Sequence, residues 1–137
     1  MLDDARETIG ATLKYLGYSL NTTDESAIEE ARDLLIEQKD LLATYDSSNF
    51  PTNLINEQLS PVHAWSGGAF QAYWETWEED EGSPINYVIP DEGSVDEILE
   101  DESIYPDDET MDNLEFIENI GQATTLYDDA WQEIKSA

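Results

Sequence analysis

The sequence predicts an α/β domain, rich in helix and built on a small, mostly parallel sheet. Three observations carry that expectation. Apolar residues recur at helical spacing through the first third of the chain. Two short apolar runs, Pro61–Trp65 and Ile85–Ile89, have the length and bounds of strands, and an aromatic helical segment separates them. Strand–helix–strand order with a crossover helix implies a parallel pair in an α/β layer.

Asp3 or Asp4 caps a first helix to about Leu16, with Ala5, Ile9, Leu13 and Leu16 as its buried stripe and Gly17 as its stop. Thr22-Thr23-Asp24-Glu25 offers a capping box, Thr22 as cap and Glu25 reaching back. The second helix then runs to roughly Ala43 on the stripe Ala27, Ile28, Ala31, Leu34, Leu35, Gln38, Leu41 and Leu42, the strongest periodicity present. Asp46-Ser47-Ser48-Asn49-Phe50-Pro51 is turn chemistry, followed by a short helix over Thr52–Gln58. After the buried strand Pro61–Trp65, Ser66 caps a helix carrying Phe70, Tyr73, Trp74 and Trp77, and Pro90 ends the second strand. Beyond Gly93-Ser94 the texture turns acidic. Short helices are expected over Val95–Glu102, from Asp108 or Thr110 to about Asn119, and over Gln122–Ile134, with a turn at Tyr105-Pro106-Asp107.

The chain has 137 residues, enough for one domain with a modest core. Its charge is extreme: 33 Asp and Glu against 5 Lys and Arg, a formal net of −28. No Lys or Arg lies between Lys39 and Lys135, so local pairs cannot neutralise the acid. Such a surface repels itself in dilute buffer; in molar salt the Debye length falls to about 3 Å and the repulsion fades. A halophile's solvated surface, a nucleic-acid mimic or acidic interaction tail, and a divalent-cation binder all fit this composition. The acids are spread over every expected helix rather than gathered in one block, which favours the first. Binding to nucleic acid is excluded by the want of a basic patch. Cysteine is absent, so there is no disulfide framework and no thiolate site. No apolar run is long enough to span a bilayer, and Met1-Leu2-Asp3-Asp4 does not read as a signal peptide.

Asp4 and Glu7 sit on one face of the first helical turn. A helix start favours negative charge in any case, but paired acids at a cleft would also grip ammonium groups through charge-assisted hydrogen bonds. Trp65, at a strand end, is either core or a platform. Ser66-Gly67-Gly68 immediately after it would let a ligand approach closely, and an indole face stabilises an alkylammonium by about 0.5–2 kcal/mol. His63 is the single histidine and reads as a strand residue; without a second His or a Cys it anchors no transition metal. Trp74 and Trp77 share helical spacing with Phe70 and read as core or interface. Asp96-Glu97 and Asp107-Asp108-Glu109 lack the pattern of a calcium loop, and no phosphate loop or nucleophile elbow occurs. With 33 acids, acid–base pairs arise by chance, so an enzyme is not indicated and no cofactor is expected.

The segments Leu2-Asp3-Asp4-Ala5-Arg6-Glu7, Leu16-Gly17-Tyr18-Ser19, Asn21-Thr22-Thr23-Asp24, Tyr45-Asp46-Ser47, Trp65-Ser66-Gly67, Tyr87-Val88-Ile89-Pro90 with Glu92-Gly93, and Tyr105-Pro106-Asp107 together resemble the spermidine/putrescine-binding proteins of ABC importers, in the family's order. The resemblance implies the second lobe of a type II periplasmic-binding-protein-like fold. Its function would be capture of a polyamine outside the membrane and delivery to an ABC permease, the parent being periplasmic or cell-surface. It also implies that Asp4 and Glu7 contact the ligand's amines, that Trp65 stacks on its carbon chain, and that Arg6 is structural. The acidity suggests a haloarchaeal member.

Three departures accompany the resemblance. The family's first lobe is absent before Met1, as is the strand leading into Asp3-Asp4. A strand and following helices that the family carries after Gly93 are missing, so Ser94 runs into the near-terminal region. A family glutamine would align near Phe116-Ile117, where no such side chain exists. The expectation is therefore a single partial lobe over 1–137, with 1–93 carrying the ligand wall and 94–137 an acidic helical part. Weak polyamine binding follows from half a wall. The alternatives are an acidic interaction protein or nucleic-acid mimic without a small ligand, or a truncated reading frame without function.

Overall fold

A computed structural model describes residues 1–79, 81–86 and 115–137. Where the first helix begins and ends follows from local chemistry. Asp4 is extended (φ −146°, ψ 122°), and its Oδ1 accepts the Glu7 N–H at 3.0 Å, opening α1 over Ala5–Tyr15. Gly17 takes φ +81°, a conformation a Cβ disfavours. It lets Gly17 N–H reach the Lys14 carbonyl at 2.9 Å and Tyr18 N–H reach that of Leu13 at 2.8 Å, the paired bonds that close a helix end. Ile9 and Leu13 are fully buried as the stripe requires. Thr8, Gly10 and Thr12 are buried beside them, the Thr12 hydroxyl donating to the Thr8 carbonyl at 3.0 Å.

The cap of α2 (Glu25–Gln38) is Asp24 rather than Thr22. The Asp24 carboxylate accepts from Ser26 N–H at 2.9 Å and Ser26 Oγ at 2.7 Å, while Thr22 Oγ1 accepts from Asp24 N–H in the preceding turn. A carboxylate offers more acceptor capacity than a hydroxyl and wins the position. The regular helix stops at Gln38 and tightens into a single 3-10 turn, Lys39–Leu41. Leu41 is accordingly solvent-facing, 88% exposed, and does not extend the stripe.

By its contacts the chain divides into two compact units. One comprises Asp4–Leu41 and Ile89–Ala137. In it α1 and α2 pack with each other and with the last helix, here α5 (Thr124–Ser136), which follows a 3-10 turn at Gly121–Ala123. Their shared core is Ile9, Leu13, Ala27, Ile28, Ala31, Leu35, Tyr127, Ala130 and Ile134, all buried. Each large member stabilises the unit by about 1.5–3 kcal/mol. Lys39 Nζ donates to the Ile134 and Lys135 carbonyls at 2.9 and 3.1 Å, a cation on the negative end of α5.

The other unit comprises Met1–Asp3 and Leu42–Val88. Asp46 Oδ1 accepts from Ser48 and Asn49 N–H groups at 2.8 and 2.9 Å, turning the chain into α3 (Phe50–Ile55). This helix packs on α4 (Ser66–Glu75). Phe50 is the buried contact, and its ring occupies the space where a Gly68 side chain would stand.

The molecule is helix-rich, and the expected parallel sheet does not occur among the described residues. Pro61–Trp65 is irregular, half-buried or exposed, and belongs to no strand among the described residues. Pro61 contributes no N–H, and no neighbouring segment among the described residues offers a ladder, so extended conformation (Trp65 φ −72°, ψ 143°) does not become a strand. Ile85-Asn86 is likewise irregular, Ile85 N–H donating locally to Ser83 Oγ at 3.0 Å. Tyr87–Ile89 lies outside the described residues, as do the expected helix over Val95–Glu102 and the turn at Tyr105-Pro106-Asp107. The helix expected to reach Asn119 does not do so: 115–119 is irregular.

Candidate ligand-binding site

Asp4 and Glu7 are brought together by the opening of α1. The N-cap geometry that uses one Asp4 oxygen as acceptor for Glu7 N–H places both carboxylates on the first turn, each partly exposed. Among the described residues neither carboxylate forms an ion pair with a lysine or arginine. Negative charge here is stabilised by the free N–H groups of the turn, so the pair persists without a protein cation.

Arg6, between them in sequence, is turned to other work. Its Nη2 donates to Asn21 Oδ1 at 2.9 Å and to the Leu20 carbonyl at 3.4 Å, and its Nη1 to the Glu118 carbonyl at 3.3 Å. The guanidinium lies 4.6 Å from the Tyr127 ring centroid, a cation–π contact. Tyr127 is fully buried, and its hydroxyl donates to the Leu20 and Thr22 carbonyls at 3.1 and 2.9 Å. Burial raises the Tyr127 phenol above its usual range, the Arg6 charge opposing. Asn21 completes the knot: its Oδ1 also accepts Glu118 N–H at 2.9 Å and its Nδ2 donates to the Phe116 carbonyl at 2.8 Å. Glu115 holds the same strap through Ser19 Oγ at 2.7 Å, Leu20 N–H at 3.1 Å and Lys14 at 3.7 Å. These contacts tie 115–118 to α1 and to the turn between α1 and α2.

Neither Asn21 nor Tyr127 stands out in the sequence as part of this support. The one signal was Asn21 heading the run Asn21-Thr22-Thr23-Asp24, whose turn chemistry is local while two of its partners, Phe116 and Glu118, are nearly a hundred residues away.

Trp65 belongs to the other unit. It occupies the N-cap position of α4 with no side-chain capping bond, and its carbonyl accepts from Gly68 and Ala69 N–H at 3.1 Å each. The indole is 41% exposed: neither sealed into a core nor free-standing. Ser66, expected as the cap, is instead the first helical residue. Of the two glycines, Gly67 has open space beside it, whereas Gly68 is small because Phe50 and Pro51 lie against it. Close approach at Gly68 thus serves packing, and only Gly67 leaves room for another molecule.

Among the described residues no three His, Asp or Glu side chains gather to hold a metal ion. No helix among them is long and apolar enough to cross a membrane. Asp96-Glu97 and Asp107-Asp108-Glu109 lie outside the described residues.

No family model matches the chain, and no solved structure matches it. Curated proteins do. A spermidine/putrescine-binding periplasmic protein of Escherichia coli is 25% identical over 188 positions, covering 99% of this chain and 52% of its own length. The spermidine/putrescine-binding periplasmic protein 1 of Haemophilus influenzae is 23% identical, covering 100% and 51%. A putrescine/agmatine-binding protein of Pseudomonas aeruginosa is 32% identical over 94 residues, 69% of this chain and 26% of its own length. These relatives are polyamine-binding proteins, the Escherichia coli and Haemophilus influenzae ones periplasmic, and the chain spans about half the length of those two.

Proposed function

We propose that the chain is part of the solute-binding component of an ABC-type polyamine importer, one lobe of a type II periplasmic-binding-protein-like fold. Asp4 and Glu7 would hold ligand amines and Trp65 would stack on the methylene chain between them. The observation that carries the reading is the relatives' shared ligand class: spermidine, putrescine and related amines recur in their names. The local geometry supports it, with two unpaired, partly exposed carboxylates on one helical turn and a partly exposed indole. Arg6, the one cation beside the acids in sequence, is committed to the Asn21–Tyr127 knot, which would leave the acids free for a cationic ligand.

Such a protein binds and releases; it does no covalent chemistry. Its parent would work outside the cytoplasm, handing the amine to a membrane permease. The match to the Escherichia coli protein runs over 188 positions against the 137 residues here, which supports an internal segment of the relative having no counterpart. With half a ligand wall, affinity is expected to be weak. The net charge of −28 fits a protein of saline surroundings, where screening to about 3 Å in molar salt removes self-repulsion.

Calorimetric titration of spermidine and putrescine in molar KCl tests the proposal. Measurable binding that is lost in Trp65→Ala and reduced in Glu7→Gln supports it. Binding that disappears with screening, or that ignores both substitutions, is diffuse attraction to an acidic surface and refutes the assigned site.

A further inference from the structure

Tyr73 and Trp74 near the end of α4, and Trp77 just past it, are not part of the proposed amine site, yet the two tryptophans do not form a core either. Trp74 is 61% exposed and Trp77 45% exposed. With Tyr73 they make a three-ring cluster whose centroids lie 5.3, 5.5 and 5.6 Å apart, Tyr73 meeting Trp74 edge-on at 87° and the two indoles tilted at 47°. The cluster is held in place. Glu78 N–H donates to the Gly82 carbonyl at 3.1 Å and Gly82 N–H returns to Glu78 at 2.8 Å, closing a tight turn. Gly82, at φ +72°, faces the Trp77 ring, and Thr76 Oγ1 shares a 2.7 Å hydrogen bond with Ser83 Oγ.

Beside the rings in sequence are Glu75, Glu78, Glu79 and Glu81, all exposed, Glu75 accepting from Gln71 Nε2 at 2.7 Å, and the unit that holds them contains no lysine or arginine. Exposed, rigidly paired tryptophans are the side chains that most often dominate protein interfaces. A rim of unneutralised carboxylates sets what can cover them. A second copy brings the same carboxylate rim, and like charges pressed together at an interface are screened little even in salt. Anionic lipid is disfavoured for the same reason. A guanidinium fits both parts, since it stacks on an indole face and pairs bidentately with a carboxylate.

We propose that Trp74 and Trp77, with their glutamate rim, form a docking surface for an arginine-bearing segment of a protein partner. The surface uses none of Asp4, Glu7 and Trp65, so its test does not depend on polyamine binding.

The probe is a synthetic arginine–glycine peptide, compared with its lysine and citrulline counterparts. It is titrated into the whole chain in molar KCl, with the indole N–H resonances followed by NMR. The arginine peptide is expected to shift the Trp74 and Trp77 signals. It should bind several-fold more tightly than the lysine peptide and lose about tenfold in affinity in Trp74→Ala. Trp131→Ala, in the other unit, should leave it unchanged. Trp77→Phe, which keeps a ring over Gly82, guards against loss of the turn and should weaken binding less than Trp74→Ala. Equal binding of the arginine and lysine peptides, or binding untouched by Trp74→Ala, overturns the proposal as plain charge attraction. It is overturned equally if these indoles respond only to vesicles of zwitterionic and anionic phospholipid. Self-association in sedimentation that Trp74→Ala abolishes would assign the surface to a second copy and overturn it as well.

Discussion

Replacing Gly68 by alanine puts a methyl carbon 2.7 Å from Phe50 Cε2, nearer still to Cζ, and 3.3 Å from Pro51 Cγ. The obstacle is a ring plane that is only 4% exposed, not the end of a flexible chain, so α3 or α4 must shift. Overpacking of this kind costs about 1–3 kcal/mol. Gly67→Ala is the internal control: it stands in the same helical turn, gains a similar propensity term of up to about 1 kcal/mol, and meets nothing within 4 Å. The propensity terms cancel in the difference, leaving Gly68→Ala about 1–3 kcal/mol less stable than Gly67→Ala. At about 4 °C per kcal/mol for a chain of this size, the midpoints separate by about 4–12 °C. Thermal melts followed by tryptophan fluorescence and near-ultraviolet circular dichroism in molar KCl read this directly. If Gly68→Ala melts with Gly67→Ala, the Phe50–Gly68 contact does not set the α3–α4 packing and the reasoning fails.

Arg6→Lys keeps a charge but loses the fork that reaches Leu20, Asn21 and Glu118 together. It should cost about 1.5–3 kcal/mol in urea unfolding, and a loss below about 0.5 kcal/mol would show the knot to be dispensable. Asp4→Asn preserves a good helix cap whereas Asp4→Ala forfeits about 1 kcal/mol. The asparagine variant should therefore melt near wild type yet bind spermidine more weakly, and a variant that binds normally would remove Asp4 from the site. The Ser26 side-chain and backbone bonds hold Asp24, and the Asn49 and Ser48 N–H bonds hold Asp46, below the ordinary aspartate value of 3.8. A depressed folded-state value means stability present above 3.8 and lost as pH falls through the folded values. In molar KCl, Asp24→Asn/Asp46→Asn should thus show a shallower acid limb than wild type, and identical limbs would contradict the assignment. Raising KCl from about 0.1 to about 2 M should raise the melting midpoint, because it screens a net charge of −28; a flat response would mean the repulsion is not limiting.

How far the fold could be read depends on the range of each interaction. Asp4 as cap, Gly17 as stop and the Ile9–Leu13 stripe are set within a few residues, and the helix they define appears where the spacing puts it. The last helix, expected over Gln122–Ile134, is found over Thr124–Ser136 for the same reason. The choice of Asp24 over Thr22 as cap is also local, but it turns on competition between two acceptors that residue type alone did not rank. That Asp4 and Glu7 share one turn was legible from their spacing; what engages Arg6 was not, since Glu118 and Tyr127 lie far along the chain.

By itself, then, the sequence determined the first helix with its Asp4 cap, the last helix and the charge of the chain, because helical hydrogen bonds and capping bonds close within one turn. Only the tertiary structure decided that Pro61–Trp65 is irregular, that Gly68 is small for the sake of Phe50, and that Trp74 and Trp77 face outward. A strand needs a partner, and a side chain's exposure depends on what the rest of the chain brings against it; neither is encoded in the residues on either side.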